Sequence, residues 1–467
     1  MDKSFIIHEK AELIRDVIRY IQKFKNATVV VYIDNSLIDS PFFINHIKDL
    51  CFIHDAGLKL ILVPGASNRI DEVLKNAGFS WKFNNHFRIT EPEAMPLIKM
   101  AAFDVSNQIM TAFAGEKKTA VIGNWVRARG KGVINGFDYG TTGEIDKLEI
   151  DSIRTVLDNN FIPIFPCIGW SLTGKPYNIS SMQLAEQISS HLKADKLFFL
   201  VPGADITSTT FNIPANIGVS DKTVPAMNLK EVDDFLKANE NLQTYNQSEE
   251  FSDTNNRLEV ENNDINKVSR EKIFFLLNLA KKACASGVDR VHILNGLIDG
   301  TVPCEIFSNL GSGTMIYSNS YGNIRDMEIE DIPFVLGIMK PFIDSGILLP
   351  RSKKTFHEEY KHYIVYAIDG IIKATAALVP YPNGDREIAG VAVDPTCSSM
   401  GIGPKLVSYL IEKAKKENAK RVFVLTTQTS DWFEHMGFTP CSVDLLPEER
   451  KKKWTPQRGS KVLVLEI

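Results

Sequence analysis

Apolar positions recur along this chain at two spacings, and each spacing predicts a different kind of element. From Glu9 to Phe24, the residues Leu13, Ile14, Val17, Ile18 and Ile21 follow the three- and four-residue steps of an amphipathic helix, placed ahead of any strand. Ala27 to Ile33 and Leu58 to Val63 are instead continuous apolar runs rich in β-branched residues, with a helical pattern from Phe42 to Asp55 between them. That is a βαβ unit, and a continuous apolar strand is one buried on both faces of a parallel sheet. Pro64-Gly65-Ala66-Ser67 opens the next helix. Thr119 to Val126, Phe161 to Ile168 and Lys196 to Val201 are further strands, alternating with helices over about Glu93 to Ala114 and Ser181 to Lys193. Repeated alternation of this kind predicts a three-layer αβα sandwich.

The periodicity stops between Asn239 and Asn266, where eight of 28 residues are Asn and most of the rest are acidic or polar. This stretch reads as an exposed insertion, residues 239–268, within a first domain covering residues 1–320. Order returns with a helix from Lys272 to Ala285, a strand from Arg290 to Leu294, and the stretch from Glu305 to Thr314. A second domain, 325–467, begins with helices over Ile329 to Ser345 and Phe356 to His362. Strands follow over Tyr363 to Ile368 and Ile371 to Val379, joined by Asp369-Gly370, a hairpin-turn pair. The next strand, ending at Val393, runs into Asp394-Pro395 and the small-residue loop Ser398-Ser399-Met400-Gly401-Ile402-Gly403, then a helix from Lys405 to Lys416. A strand, a small-residue loop and a helix N-terminus leave several backbone N–H groups convergent on one spot, a seat for phosphate or pyrophosphate. Strands from Arg421 to Thr426 and Lys461 to Leu465, with a short helix from Asp431 to His435 between them, complete the chain.

Composition narrows the function. The 467 residues, 44% of them hydrophobic, can fill more than one core, and the net charge of −4 gives no long-range attraction to nucleic acid. No apolar run approaches the roughly 20 residues a membrane helix needs, and the first residues show no apolar export signal, so a cytoplasmic protein is expected, with neither nucleic acid nor membrane as partner. Six scattered cysteines form no CxxC pair, which fits neither a disulfide framework nor a zinc site; no metal is expected.

The strand from Glu387 to Val393, the loop through Gly403, Leu425-Thr426-Thr427, and Trp432-Phe433-Glu434-His435-Met436-Gly437-Phe438 together resemble the GNAT acetyltransferases. Gly346 to Ser352, Asp444-Leu445-Leu446-Pro447-Glu448 and Gln457-Arg458-Gly459-Ser460-Lys461 resemble one branch of them, the bacterial N-acetylglutamate synthases. The first domain is similar to the amino-acid kinase fold at Arg88-Ile89-Thr90, Leu192-Lys193-Ala194-Asp195-Lys196 and Glu305 to Thr314. The resemblance implies a kinase-like sandwich fused to a GNAT domain, and an enzyme that moves acetyl from acetyl-CoA to the α-amine of L-glutamate. It further implies L-arginine as feedback effector and a homo-oligomer that exchanges N-terminal helices. Two departures stand out. Kinases of this fold carry a lysine and paired glycines after the first strand to hold ATP phosphates, whereas this chain reads Tyr32-Ile33-Asp34-Asn35-Ser36, so no kinase activity is expected. Many GNAT loops begin with Arg or Gln where this one has Ser398.

Site roles follow from the same resemblance. Val391, Val393, Ser398, Ser399, Met400, Gly401 and Gly403 would hold acetyl-CoA, and a backbone N–H near Val391 would hold the oxyanion. An amino acid attacks as a neutral amine, so a base must take its proton; Glu387 is the candidate, and Thr426 the candidate acid for the departing thiolate. Two carboxylates on the acceptor suit planar guanidinium groups, and Arg351 and Arg458, with Ser460, match the substrate motifs. Tyr20, Glu305 and Gly311 match the arginine site. Two other readings stay open: a GNAT enzyme for a different amino-acid or peptide amine, and a non-catalytic, arginine-responsive acetyl-CoA binder.

Overall fold

Alternate residues of one strand enter different cores, and this fixes the architecture of the first unit. In β1 (Thr28–Ile33), Val29, Val31 and Ile33 pack with α1 (Phe43–Asp55) and α2 (Met95–Gly115), while Val30 and Tyr32 pack with α3 (Ser181–Leu192) and α4 (Arg270–Ala285). The two-residue period of a strand sends successive side chains to opposite faces, so an unbroken apolar run needs a helical layer on each side. Each fully buried Val or Ile of such a run contributes about 1.5–3 kcal/mol relative to exposure. The computed structural model describes residues 11, 14, 15, 17, 18, 20–84, 87–240, 270–307, 311–318, 322–368, 371–395, 397 and 401–467. The chain divides into Met1–Ser318 and Asn319–Ile467. Most of the Asn-rich insertion lies outside the described residues.

The main sheet of the first unit adds β2 (Lys59–Pro64), β3 (Ala120–Ile122), β4 (Ile162–Ile164), β5 (Lys196–Val201), β6 (Ala226–Asn228), β7 (Arg290–Asn295) and β8 (Thr314–Tyr317). Their order is β6-β8-β7-β5-β1-β2-β4-β3, parallel throughout except between β7 and β8. The expected αβα sandwich is thus present. Two expected strands are each divided, their second halves joining a separate four-stranded sheet of Val126–Gly130, Gly143–Leu148, Ile168–Trp170 and Pro176–Asn178. In one, Trp125 folds back over Gly123, where a Cβ would lie 2.3 Å from its ring. In the other, the Ile168 amide donates to the Pro166 carbonyl at 2.7 Å, turning the chain out of the sheet.

The second unit is a seven-stranded sheet of β9 (Gly322–Asp326), β10 (Tyr363–Ile368), β11 (Ile371–Pro380), β12 (Arg386–Val393), β13 (Arg421–Thr426), β14 (Thr439–Cys441) and β15 (Lys461–Glu466), in the order β9-β10-β11-β12-β13-β15-β14. Helix α5 (Ile332–Asp344) covers one face through Ile332, Val335, Ile338 and Met339; α6 (Lys353–Glu359) adds Phe356 to that core. Helix α7 (Ile402–Lys416) covers the other through Ile402, Leu406, Val407, Leu410 and Ala414. Strands β10 and β11 pair antiparallel as the Asp-Gly signal implies, although Asp369 and Gly370 themselves lie outside the described residues. The edge strands β9 and β14 are too short or too polar to carry an alternation that sequence reading detects.

Candidate active site

The sheet opens at its centre. β12 pairs with β13 only at Arg386, Glu387 and Ile388, opposite Val422, Phe423 and Val424, whereas β13 continues to Thr426 against β15. From Ala389 onward β12 keeps β11 on one side, and among the described residues no strand pairs with its other edge. Peptide groups facing such a gap need a partner, and an extended ligand can supply one.

A bulge sits at the mouth of the opening. Between Ala389 and Ala392, Gly390 and Val391 stand opposite the single residue Ala376 of β11, and Gly390 has φ of 60°, a conformation glycine adopts without penalty. The extra residue resets the alternation. Ile388, Val391 and Val393 all face the core under α7, while Ala392 faces Met339 and Tyr363 on the other side. Without the bulge, Ile388 and Val391 would point to opposite faces.

The N-terminus of α7 meets the end of this strand. Gly401, the N-cap, has φ of 63° and offers no side chain to cap the first helical amides. A Cβ on Gly403 would lie 3.5 Å from the Trp432 ring and 4.0 Å from Val393, so this residue sits tight against the strand end and α8 (Ser430–His435). Pro404, next along, has no N–H, which leaves Ile402 and Gly403 as the donors of the opening turn. Just past the end of β12, Lys373 Nζ donates to Asp394 Oδ2 at 3.1 Å, and the Asp394 amide donates to the Lys373 carbonyl at 2.7 Å. Ser398, Ser399 and Met400 lie outside the described residues. Among the described residues, an unpaired strand edge and a helix terminus with no side-chain cap from Gly401 fit a ligand carrying both amide and phosphate groups, as acetyl-CoA does.

Glu387 is 6% exposed and heavily engaged. Arg450 Nε, from α9 (Glu448–Lys451), donates to Oε2 at 2.9 Å and Oε1 at 3.1 Å, and the Tyr381 hydroxyl donates to Oε2 at 2.7 Å. The Tyr381 ring lies against Phe423, 5.6 Å between centroids. Burial and the adjacent Glu387 carboxylate hold the Tyr381 hydroxyl well above its ordinary pKa, so it remains a donor. Arg351 donates to the Tyr363 hydroxyl and, at 3.3 Å, to Glu359 Oε2. A Cβ on Gly390 would lie 3.8 Å from that same hydroxyl, which brings Arg351 to the bulge. Burial raises the Tyr363 hydroxyl to about 12, with Arg351 opposing and the Glu359 and Glu387 carboxylates adding to the rise. Arg458 Nη2 donates to the Ile347 carbonyl at 2.8 Å, in the loop that leads into Arg351. Ser460 is buried, its carbonyl accepting from Trp454 Nε1 at 3.3 Å. Thr426 closes β13 and its Oγ1 accepts from the amides of Thr429 at 3.0 Å and Gln428 at 3.3 Å, so the hydroxyl shapes the turn into α8.

The predicted effector residues occur in the first unit. Tyr20 stacks on Phe24, with 5.9 Å between centroids. The Glu305 carboxylate, expected to await a guanidinium, instead accepts from the Ser312 and Gly313 amides and from His292 Nδ1, and a Cβ on Gly311 would come within 2.7 Å of it. Carboxylate and loop amides, the two halves of the expected site, therefore satisfy each other in this state. Burial pushes Glu305 up, but these donors outweigh it and hold the group ionised; burial holds His292 low, hence neutral at pH 7. Lys196 is buried beside them with its ammonium 4.4 Å from the Phe24 ring centroid, and Arg290 lies 5.8 Å from the same ring. Burial, then Arg290, lowers Lys196 to about 7. At the end of β1, Asp34 takes a 2.6 Å bond from Lys272; burial raises its pKa, but Lys272 and Ser36 outweigh that and keep it ionised.

Sequence reading missed Arg450, Tyr381, Tyr363, Lys196, Arg290 and His292. Arg450 is embedded in Glu448-Glu449-Arg450-Lys451-Lys452-Lys453, which reads as a solvated helix face. Arg290 and His292 did leave a signal, two ionisable residues at alternate positions of a buried strand. Among the described residues no group of three His, Cys, Asp or Glu gathers as a metal site, and no helix is long and apolar enough to cross a membrane.

An opened sheet with a bulged central strand and a glycine-led helix terminus defines a GNAT acetyltransferase, here joined to an amino-acid kinase-like sandwich. Residues 333–438 match the Acetyltransferase (GNAT) family and residues 27–205 the Amino acid kinase family. The chain is 30% identical over 465 residues to an amino-acid acetyltransferase of Actinobacillus pleuropneumoniae serotype 7, covering 98% of this chain and 99% of that one. It is 29% identical over 463 residues to an amino-acid acetyltransferase of Yersinia pestis bv. Antiqua, covering 97% of each. Its fold is similar to that of N-acetylglutamate synthase from Neisseria gonorrhoeae complexed with coenzyme A and L-arginine (TM-score 0.72, 26% identity, 98% of this chain and 99% of that one). It is also similar to that synthase complexed with coenzyme A and N-acetyl-glutamate (TM-score 0.57, 27% identity, the same coverage). The chain belongs to the amino-acid acetyltransferase family, with the fused architecture of bacterial N-acetylglutamate synthase, and uses acetyl-CoA as co-substrate.

Proposed function

We propose that this acetyltransferase acts on the α-amine of L-glutamate, in the first step of arginine biosynthesis, and that L-arginine regulates it through the kinase-like unit. The observation that carries the reading is the juxtaposition at the opening of the sheet: Glu387 just before the Gly390 bulge, Arg351 reaching that bulge through Tyr363, and Arg458 hydrogen-bonded to the loop that leads into Arg351. Acetyl-CoA supplies a thioester carbonyl that a neutral amine attacks, with CoA leaving as thiolate. Glu387 takes the amine proton, the β12 edge near Val391 donates to the carbonyl oxygen, and the two arginines hold the acceptor's carboxylates. Thr426 is the proposed donor to the thiolate, through the hydroxyl that shapes the turn. The uncapped α7 terminus and Gly403 take the pyrophosphate.

For L-arginine, the Glu305 carboxylate is the receptor for the guanidinium, and Lys196 with Arg290 offers cations to the α-carboxylate. Binding therefore requires the effector to replace His292 or the loop amides at Glu305. The kinase-like unit is not expected to phosphorylate, because Tyr32-Ile33-Asp34-Asn35-Ser36 lacks the lysine and paired glycines that follow the first strand in kinases of this fold. The exposed Ile14 and Ile18 of the N-terminal helical segment support self-assembly through that segment in the cytoplasm. Incubation with carbonyl-labelled acetyl-CoA and L-glutamate should yield labelled N-acetylglutamate by mass spectrometry, with yield falling as L-arginine is titrated in. An unlabelled glutamate pool would refute the acceptor, and an unchanged yield the effector.

A further inference from the structure

The Glu387 carboxylate does not stand alone, and its partners are arranged unevenly. Among the described residues, Oε2 accepts two hydrogen bonds, from Tyr381 at 2.7 Å and Arg450 at 2.9 Å, while Oε1 accepts only the longer, 3.1 Å arm of the same shared Nε–H. A carboxylate oxygen has room for about two donors. Oε2 is filled and Oε1 is not. Both partners are themselves fixed. Tyr381 caps a tight turn, its amide donating to the Asp385 carbonyl at 3.0 Å, and its ring rests on Phe423. Arg450 follows Pro447, whose carbonyl accepts its amide at 2.8 Å, and its side chain is 15% exposed.

We propose that Arg450 and Tyr381 are positioning residues of the acetyl transfer, holding the Glu387 carboxylate so that Oε1 receives the amine proton. This rests on the reading of Glu387 as the base. In the step, an N–H bond of the acceptor ammonium breaks, an O–H bond forms at Oε1, and the electron pair stays on nitrogen to attack the thioester carbon. A carboxylate free to rotate about its side-chain torsions would present Oε1 to the amine for only part of the time, and the loss would appear in kcat. The rival role for Arg450 is purely structural, tying the segment after Pro447 to the sheet.

Steady-state kinetics of the full-length protein separate these roles. Arg450→Met should lower kcat about 10- to 100-fold at saturating substrates, less than the roughly 100- to 10,000-fold that general-base catalysis itself contributes, and leave KM for acetyl-CoA unchanged. Arg450→Lys should recover part of the loss, and Tyr381→Phe should lower kcat by a smaller factor. In a Glu387→Gln background, Arg450→Met should change kcat by less than about twofold, since a residue that acts through another has nothing left to position. An equal fold-loss in both backgrounds, or an unchanged kcat with a lowered melting temperature, overturns the proposal. Should Arg450→Met fail to fold, the Arg450→Lys and Tyr381→Phe pair decides in the same two backgrounds. If Glu387→Gln alone leaves kcat unchanged, the base reading is what fails and the positioning role falls with it; a slow Glu387→Gln with a fast Arg450→Met removes the positioning role only.

Discussion

Replacing Gly401 by Val tests how acetyl-CoA is gripped. Gly401 sits at φ of 63° as the N-cap of α7 and contributes no side chain to the helix end. An L-residue in that left-handed region costs about 1–2 kcal/mol, more when β-branched. The chain can relieve the strain by rotating the peptide before Ile402, which turns the first helical amides away from the strand edge. Losing one hydrogen bond to a charged pyrophosphate, worth about 1.5–3 kcal/mol, weakens binding by about 10- to 150-fold at about 1.4 kcal/mol per tenfold. Calorimetric titration with CoA measures this directly, and KM for acetyl-CoA should rise in parallel while KM for glutamate moves little. Ser398→Ala should weaken CoA binding by no more than a few-fold, because backbone amides carry the contact. Binding of CoA by Gly401→Val within about threefold of the parent, or a larger effect from Ser398→Ala, would refute the backbone grip.

Arg351→Met and Arg458→Met should each raise KM for glutamate about 10- to 100-fold, as expected for a lost charge-assisted hydrogen bond, with KM for acetyl-CoA unchanged; a change confined to kcat would remove the carboxylate role. Thr426→Ser should keep kcat within a few-fold, whereas Thr426→Val, which removes the hydroxyl, should lower it by about tenfold or more. Equal rates in the two variants would leave Thr426 a turn residue only. Lys196 titrates near 7 in the folded chain against 10.5 for an exposed lysine, so above pH 7 its free form is neutral and offers no charge to a carboxylate. Inhibition by L-arginine should therefore weaken between pH 6.5 and 8.5, and Lys196→Met should weaken it more at pH 6.5 than at 8.5; inhibition that strengthens with pH would count against Lys196 as a ligand.

The continuous runs of β1, β2 and β5 made the sandwich legible, because two-sided burial leaves no polar position to confuse the period. The strand, loop and helix around Gly401 were legible for a similar reason, small residues falling where a chain must turn at a helix end. The opening of the sheet was not. It depends on β13 leaving β12 after Val424, which no local pattern records, and on the extra residue at Gly390 that reverses the facing of Val391. The partners of Glu387 were hidden because Tyr381 and Arg450 are 69 residues apart and meet only through the register of three strands. The match of Glu305 to an arginine site says nothing of its burial against the loop that follows it, which is a tertiary fact. Charged residues are the ones whose sequence context says least, since a solvated arginine and a buried one look alike until their neighbours are placed.

Thiol release from acetyl-CoA, followed with a panel of acceptors and with L-arginine present or absent, tests the central claim most directly. Glutamate should give rapid release, glutamine and 4-aminobutyrate, each lacking one carboxylate, should be slower by about tenfold or more, and L-arginine should suppress the glutamate rate. Release that is brisk with another amine and absent with glutamate would contradict the account.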